Sequence, residues 1–216
     1  MSLILTRRDC VLALGATSAT LIPGLAYAGL LDGLGLTKLL GNASDNALNK
    51  LGEPDGFYRD LAVRIALPGA TGKLAQKALR FGDKMGVTTK LTKSLNDAAS
   101  SAALEAKPIF RSAISQIKLR DIPDIATQKN GASQYLLRTA GSELGLKVKP
   151  LISSALGKVG AFQQLASLGK SGGILSSLGI TNETLTDSVS KQAMNGIFSY
   201  LGQEEGKLRG NPFGVL

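Results

Sequence analysis

Apolar residues recur at helical spacing along most of the chain. Leu36, Leu39, Leu40, Ala43, Ala47, Leu48 and Leu51 share one face of a helix over 36–51, which Gly52 and Pro54 stop. Glu53-Pro54-Asp55-Gly56 is turn chemistry, and Phe57 and Tyr58 come next as its anchors. Leu61, Val63, Ile65 and Leu67 then alternate with Ala62, Arg64 and Ala66 until Pro68-Gly69. No partner strand is evident, so 61–67 reads as an extended strap laid across helices.

A short helix over 71–85 has an apolar stripe of Leu74, Ala78, Phe81 and Met85, with Lys73, Lys77, Arg80 and Lys84 one position earlier. The two stripes run about 100° apart around the axis. A long helical stretch over 88–118 carries Leu91, Leu95, a run of alanines, Phe110, Ile114 and Ile117. Pro108 predicts a kink or a fresh start within it. Asp121 is a candidate cap, and Asn130-Gly131 marks a turn. The next helix, 132–158, contains Pro150, where a second kink is expected. Gly157, Gly160 and the glycines of 169–173 fragment the segment after it, with a loop at 170–173. Val189, Ala193, Ile197 and Leu201 define a last helix over 185–208, capped by Asn182 or Thr184 and ended by Asn211-Pro212. The fold class is all-α: a single-domain irregular helical bundle with kinked helices and one short extended strap, over 42–216. A flexible Gly/Leu-rich stretch at 29–41 is expected ahead of it.

Residues 1–28 have the pattern of an export signal. Thr6-Arg7-Arg8 precedes an apolar run that reaches Leu25, Pro23-Gly24 breaks it, and Ala26-Tyr27-Ala28 offers small residues for cleavage after Ala28. The run is too short and interrupted to remain as a spanning helix. Arg7-Arg8 resembles a twin-arginine signal, although Cys10 stands where that motif prefers Phe. An ordinary secretory signal is the other reading. The expected location is periplasmic, soluble or peripheral on the membrane, with no spanning helix in the processed chain.

Composition narrows the chemistry. Of 216 residues none is His, none is Trp and one is Cys, at position 10 in the signal. No imidazole general base or Ser-His-Asp triad is available, and a zinc site has almost no ligands to draw on. At 44% hydrophobic, the chain can bury a core. No cofactor is expected, and the balance leans away from an enzyme.

The formal charge is +9, and cleavage would remove Arg7, Arg8 and Asp9, lowering it by one. Most of the excess sits in one window, where Arg64, Lys73, Lys77, Arg80, Lys84, Lys90 and Lys93 face only Asp83. Such a stripe is most often a solvated face. As a binding element, Arg64, Lys73, Lys77, Arg80 and Lys84 would meet anionic lipid or an acidic protein partner. Nucleic acid is not expected, because export argues against it and no aromatic residue interleaves with the lysines. Gly69-Ala70-Thr71-Gly72-Lys73 lacks the spacing of a phosphate loop and reads as a helix-capping turn. Glu204-Glu205 with Lys207 and Arg209 is a charge cluster whose Glu205–Arg209 pair reads as an ordinary surface bridge. Glu105, Asp121 and Asp124 have no calcium-loop spacing and read as caps and surface charges.

Several motifs carry a resemblance. These are Asn46-Ala47-Leu48 with Leu51 to Phe57, Val63 to Pro68, Glu105-Ala106-Lys107-Pro108-Ile109-Phe110, and Gln134-Tyr135-Leu136 with Thr139. The last is Ala193 to Phe198 with Glu204-Glu205, Leu208-Arg209 and Asn211-Pro212. In this order they resemble the exported bacterial domain of unknown function family 4197, except that Asn195 stands where the motif has Asp. The resemblance implies an exported helical protein and supplies no catalytic residue. It marks Phe57, Glu105, Lys107, Pro108, Phe110, Tyr135, Phe198, Glu205 and Arg209 as motif residues without an assigned role.

The function expected is a non-enzymatic periplasmic module binding an apolar or anionic partner, such as a membrane surface or lipid. A structural or protein-interaction module without ligand is the alternative, and an enzyme working with carboxylates alone comes third.

Overall fold

The computed structural model describes residues 33–68, 86–117, 125, 128–170 and 180–210. Among them are six helices: α1 (Gly33–Gly52), α2 (Gly56–Arg59), α3 (Val87–Ser115), α4 (Gly131–Lys158), α5 (Ala161–Lys170) and α6 (Asn182–Gly210). The all-α bundle is as expected, and the described residues contain no strand. The export signal, the 71–85 helix with its stripes, the Gly69–Lys73 turn, the Asp121 cap, the glycines at 172–173 and Asn211-Pro212 lie outside the described residues.

The four long helices close into a ring. α1 packs on α3 and α6, and α4 packs on the same two, while α2 lies on α3 and α5 bridges α3 and α4. Each ring helix turns one stripe inward, and burial of that stripe is the main force holding the ring. Leu36, Leu40, Ala43, Ala47, Leu48 and Leu51 come from α1, and Leu91, Leu95, Phe110 and Ile114 from α3. α4 adds Leu136, Leu144, Val148 and Ile152, and α6 adds Leu185, Val189, Ala193, Ile197 and Leu201. The alanines of α3 (Ala98, Ala99, Ala102, Ala103, Ala106) are all buried, and small side chains let its neighbours approach closely. Phe110 and Phe198 join α3 to α6 across the core, their rings 5.8 Å apart and inclined by 52°.

Four expectations change. The stretch expected to be flexible at 29–41 is helical from Gly33, with Leu36, Leu39 and Leu40 fully buried. Its leucines continue the α1 stripe, and their burial outweighs the weak helix propensity of the glycines between them. Pro108 sits inside a continuous helix rather than at a fresh start, and Pro150 lies within α4 as expected. Between Gly160 and residue 171 a ten-residue helix, α5, forms where only fragmentation was expected. Gly160, at φ +73°, makes the sharp break before it, a conformation an L side chain rarely adopts. At the start of α6, Thr181 is the cap: its Oγ1 accepts from the Thr184 amide at 3.2 Å, and Thr184 Oγ1 accepts from the Thr181 amide at 2.8 Å.

Candidate functional site

The segment from Asp55 to Pro68 is where the basic window joins the body. Asp55 takes the left-handed conformation at φ 61° and starts α2. Phe57 points inward and is fully buried. It rests on Gly196 of α6, where an added Cβ would lie 2.8 Å from the Phe57 ring. Asp60 then closes a tight turn. Its Oδ1 accepts from the Ala62 amide at 2.9 Å, and its backbone carbonyl accepts from Val63 and Arg64 at 3.1 and 2.8 Å. Tyr200 of α6 donates its hydroxyl to the other carboxylate oxygen at 2.7 Å.

Residues 61–63, expected to be extended, form this turn instead, because Asp60 gathers the amides of Ala62, Val63 and Arg64. Beyond it 64–67 have no regular secondary structure, and two amide side chains hold them. Asn96, fully buried on α3, accepts from the Ile65 amide at 2.8 Å and donates to the Ile65 carbonyl at 2.9 Å. Gln192 on α6 does the same for Ala66, at 2.9 and 3.0 Å. Successive residues of an extended chain point their amides to opposite edges. The strap thus has a helix-borne partner on each side, which satisfies backbone groups that a lone strand leaves open. Val63 and Ile65 face the core, but Leu61 does not: the Asp60 turn leaves it 77% exposed.

Charge around this turn is largely paired. Arg64 donates to the Tyr58 carbonyl at 2.5 Å and lies 4.4 Å over the Tyr58 ring. Lys93 bridges Asp55 at 2.8 Å and Asp97 at 2.9 Å, and it sits 5.9 Å from the same ring. The hydrogen bond from Lys93 holds the Asp55 carboxyl below its ordinary value, and the bond to Asp55 raises Lys93. Burial and then the bond to Asp60 push the Tyr200 phenol up to about 12. The bond from Tyr200, followed by that from Ala62, lowers Asp60. Lys90 is exposed one turn into α3.

The carboxylate pair on α6 has a different role from the one its spacing implies. Glu205 is fully buried and caps α4 from outside that helix. Its Oε1 accepts from the Ala132 amide at 3.0 Å, and its Oε2 accepts from the Ser133 amide at 2.7 Å and from the Ser133 hydroxyl. Arg209, one turn on, brings Nε and Nη2 to Oε1 at 2.9 and 2.7 Å, and donates to the Ile125 carbonyl at 3.3 Å. The expected surface bridge is therefore a buried ion pair. Helix periodicity alone cannot show that this face of α6 meets the α4 N-terminus, whose free amides and positive dipole end favour a carboxylate. Glu204 beside it receives Lys50 and Lys207, each at 2.7 Å. Burial alone would raise its carboxyl, but the two lysines outweigh that and hold it low.

The remaining motif residues do not converge on one place. Glu105 is exposed and reaches Lys158 at 3.8 Å, Lys107 is half-buried and Pro108 is exposed. Tyr135 stacks beneath Arg138 at 5.7 Å and lines a cleft of about 270 Å³ between α3 and α4 with Ile109, Ile117, Thr139 and Lys147. Lys73, Lys77, Arg80 and Lys84 lie outside the described residues. Sequence reasoning missed Asn96, Gln192 and Tyr200, because their partners are groups far along the chain, and Asp60, because its local turn through Ala62, Val63 and Arg64 is masked by the apolar alternation. Among the described residues no group of His, Cys, Asp or Glu could hold a metal ion, and no helix is long and apolar enough to cross a membrane.

A family model described as "Protein of unknown function (DUF4197)" matches residues 32–215. No curated protein matches the chain, and no solved structure does.

Proposed function

We propose that this chain, which belongs to the DUF4197 family, is an exported, non-enzymatic helical module that binds an anionic surface, the membrane foremost, through its basic window. Export rests on Thr6-Arg7-Arg8, the apolar run after it and Ala26-Tyr27-Ala28.

The observation that carries the binding reading is where the excess positive charge falls. Outside the window much of the basic charge meets a carboxylate, and inside it Lys93 does too, bridging Asp55 and Asp97. Lys50 and Lys207 share Glu204, Arg111 takes Asp45, Lys147 takes Glu143, Lys149 takes Asp187 and Arg209 takes Glu205. Within 64–93 the sequence holds one acidic residue, Asp83, for seven basic ones, and Lys73, Lys77, Arg80 and Lys84 recur at helical spacing, one position ahead of the apolar Leu74, Ala78, Phe81 and Met85. A basic amphipathic helix of this kind lies in a lipid interface, with its apolar side inward and its cations at the head groups. Each cation near an anionic surface contributes about 1 kcal/mol.

Three carboxylates at or near the core among the described residues are engaged in the architecture. Glu205 caps α4, Glu204 is held by two lysines, and Asp60 closes the strap turn.

Co-sedimentation of the processed protein with vesicles tests the proposal. Strong pelleting with phosphatidylglycerol vesicles at low salt, weak pelleting with phosphatidylcholine, and loss at high salt are expected. Equal pelleting with both lipids at low salt would overturn the anionic-surface reading.

A further inference from the structure

We infer that Leu61 is the point at which this protein enters an anionic bilayer, an assignment that rests on the membrane-surface function proposed above. Leu61 is the most exposed of the large apolar residues that face solvent among the described residues, at 77%; Leu146 is next at 73%. Its exposure breaks the alternation of its own segment, since Val63 and Ile65 are buried.

The exposure is built rather than incidental. Asp60 holds the turn through the Ala62, Val63 and Arg64 amides, and Tyr200 fixes Asp60 from α6. Asn96 and Gln192 then fix the strap beyond it. Leu61 therefore projects from a preorganised turn and loses little freedom when its side chain is buried by a partner.

The surroundings favour lipid as that partner. Tyr58, half-buried, lies under the Arg64 guanidinium, and an aromatic ring beside a cation suits the head-group level of a membrane. Arg59, two residues before Leu61, is exposed; its guanidinium donates to the Pro54 carbonyl at 2.6 Å and has further N–H donors to offer a phosphate. The neighbouring carboxylates are engaged: Asp55 and Asp97 by Lys93, Asp60 by Tyr200. Asp60 keeps its negative charge under the neutral Tyr200 hydroxyl, and Lys93 offsets one of Asp55 and Asp97. Arg59 and Arg64 supply the compensating positive charge on the turn itself, and the basic residues of 73–84 in the sequence carry the attraction proposed above. Leu61 stands alone on its turn between Arg59 and Arg64: the other exposed large apolar side chains among the described residues, Leu104, Leu137 and Leu146, are on α3 and α4. A fluid acyl-chain boundary accommodates such a knob without a preformed pocket.

The chain contains no tryptophan, so Leu61→Trp introduces a unique fluorophore at an exposed site, and Leu146→Trp provides a control of similar exposure on α4. With phosphatidylglycerol vesicles, the Leu61→Trp emission is expected to shift to the blue and to be quenched by brominated acyl chains, while Leu146→Trp emission stays unchanged. Leu61→Ala is expected to weaken vesicle partition about tenfold, with helical content retained. Pelleting of Leu61→Trp protein with unshifted emission would overturn the insertion point while leaving the surface function standing. An equal shift at both positions would overturn the assignment to Leu61. Absence of pelleting by the unmodified protein would overturn the surface function and the insertion point together.

Discussion

Glu205 caps the helix that begins beside Ser133, 72 residues earlier in the chain, accepting from the Ser133 amide at 2.7 Å. With Arg209 completing the cluster, one buried ion pair fastens α6, the start of α4 and the Ile125 carbonyl. A buried pair is worth little over a well-packed apolar replacement, but removing one partner leaves a charge stranded. Glu205→Ala is therefore expected to cost about 3–5 kcal/mol in denaturant unfolding. Arg209→Ala should cost a similar amount, and the double variant less than the sum of the two. Additive losses would show that the two side chains do not act as one unit.

The strap depends on Asn96. Asn96→Ala leaves the Ile65 amide and carbonyl without their partners and is expected to cost about 1–3 kcal/mol. Gln192→Ala acts on a more exposed pair, and water replaces part of what is lost, so its cost is expected below about 1 kcal/mol. Urea midpoints of both variants check the order, and a larger loss for Gln192→Ala would contradict it.

Gly196 sits within α6, where alanine would ordinarily gain about 1 kcal/mol in helix propensity. Here the added methyl meets the Phe57 ring at 2.8 Å and the Val63 side chain at 3.2 Å, both buried. Gly196→Ala is expected to destabilise by about 1–3 kcal/mol as those side chains move aside. A thermal midpoint equal to or above that of the unmodified protein would show that the strap yields freely.

Stability should fall at both ends of the pH scale through identifiable groups. The Glu204 carboxyl is lowered in the folded state from an ordinary 4.5, so its contribution is complete above that value and is lost as pH falls through the folded pKa. Glu204→Gln should therefore flatten part of the acid limb in unfolding curves taken between pH 5 and 3. Tyr200 is raised from 10.0 to about 12, so its contribution is present below 10 and is lost as pH rises toward 12. An absorbance titration should show one late tyrosine that is missing in Tyr200→Phe and earlier in Asp60→Asn. A late tyrosine that persists in Tyr200→Phe would contradict the assignment.

The long helices were legible because local periodicity reports them directly, as the seven apolar positions over 36–51 do for α1. The alternation over 61–67 found the strap only in part, since 61–63 form a turn, and α2 and α5 were too short for periodicity to mark. Leu61 was not legible, because its exposure comes from a hydrogen-bonded turn at Asp60 that hydrophobic alternation does not register. The role of Glu205 was hidden for a different reason. An i,i+4 carboxylate and guanidinium look alike on a wet face and on a buried one, and only the packing of α6 on α4 separates them. Asn96 and Gln192 left no motif, since an amide that pairs with backbone carries no information about the residue it meets. The continuity of α3 through Pro108 likewise comes from the packing of Ala106 and Phe110 on either side, which a single proline does not overcome.

The central claim is that the four cations of the 73–84 stripe attach this protein to an anionic surface. Vesicle partition of the processed protein tests it most directly, comparing the unmodified chain with Lys73→Glu, Lys77→Glu, Arg80→Glu and Lys84→Glu combined, at matched helical content. Binding to phosphatidylglycerol vesicles at low salt should fall by at least about tenfold in the variant, given roughly 1 kcal/mol for each cation lost. Partition unchanged by reversal of all four charges would contradict the claim.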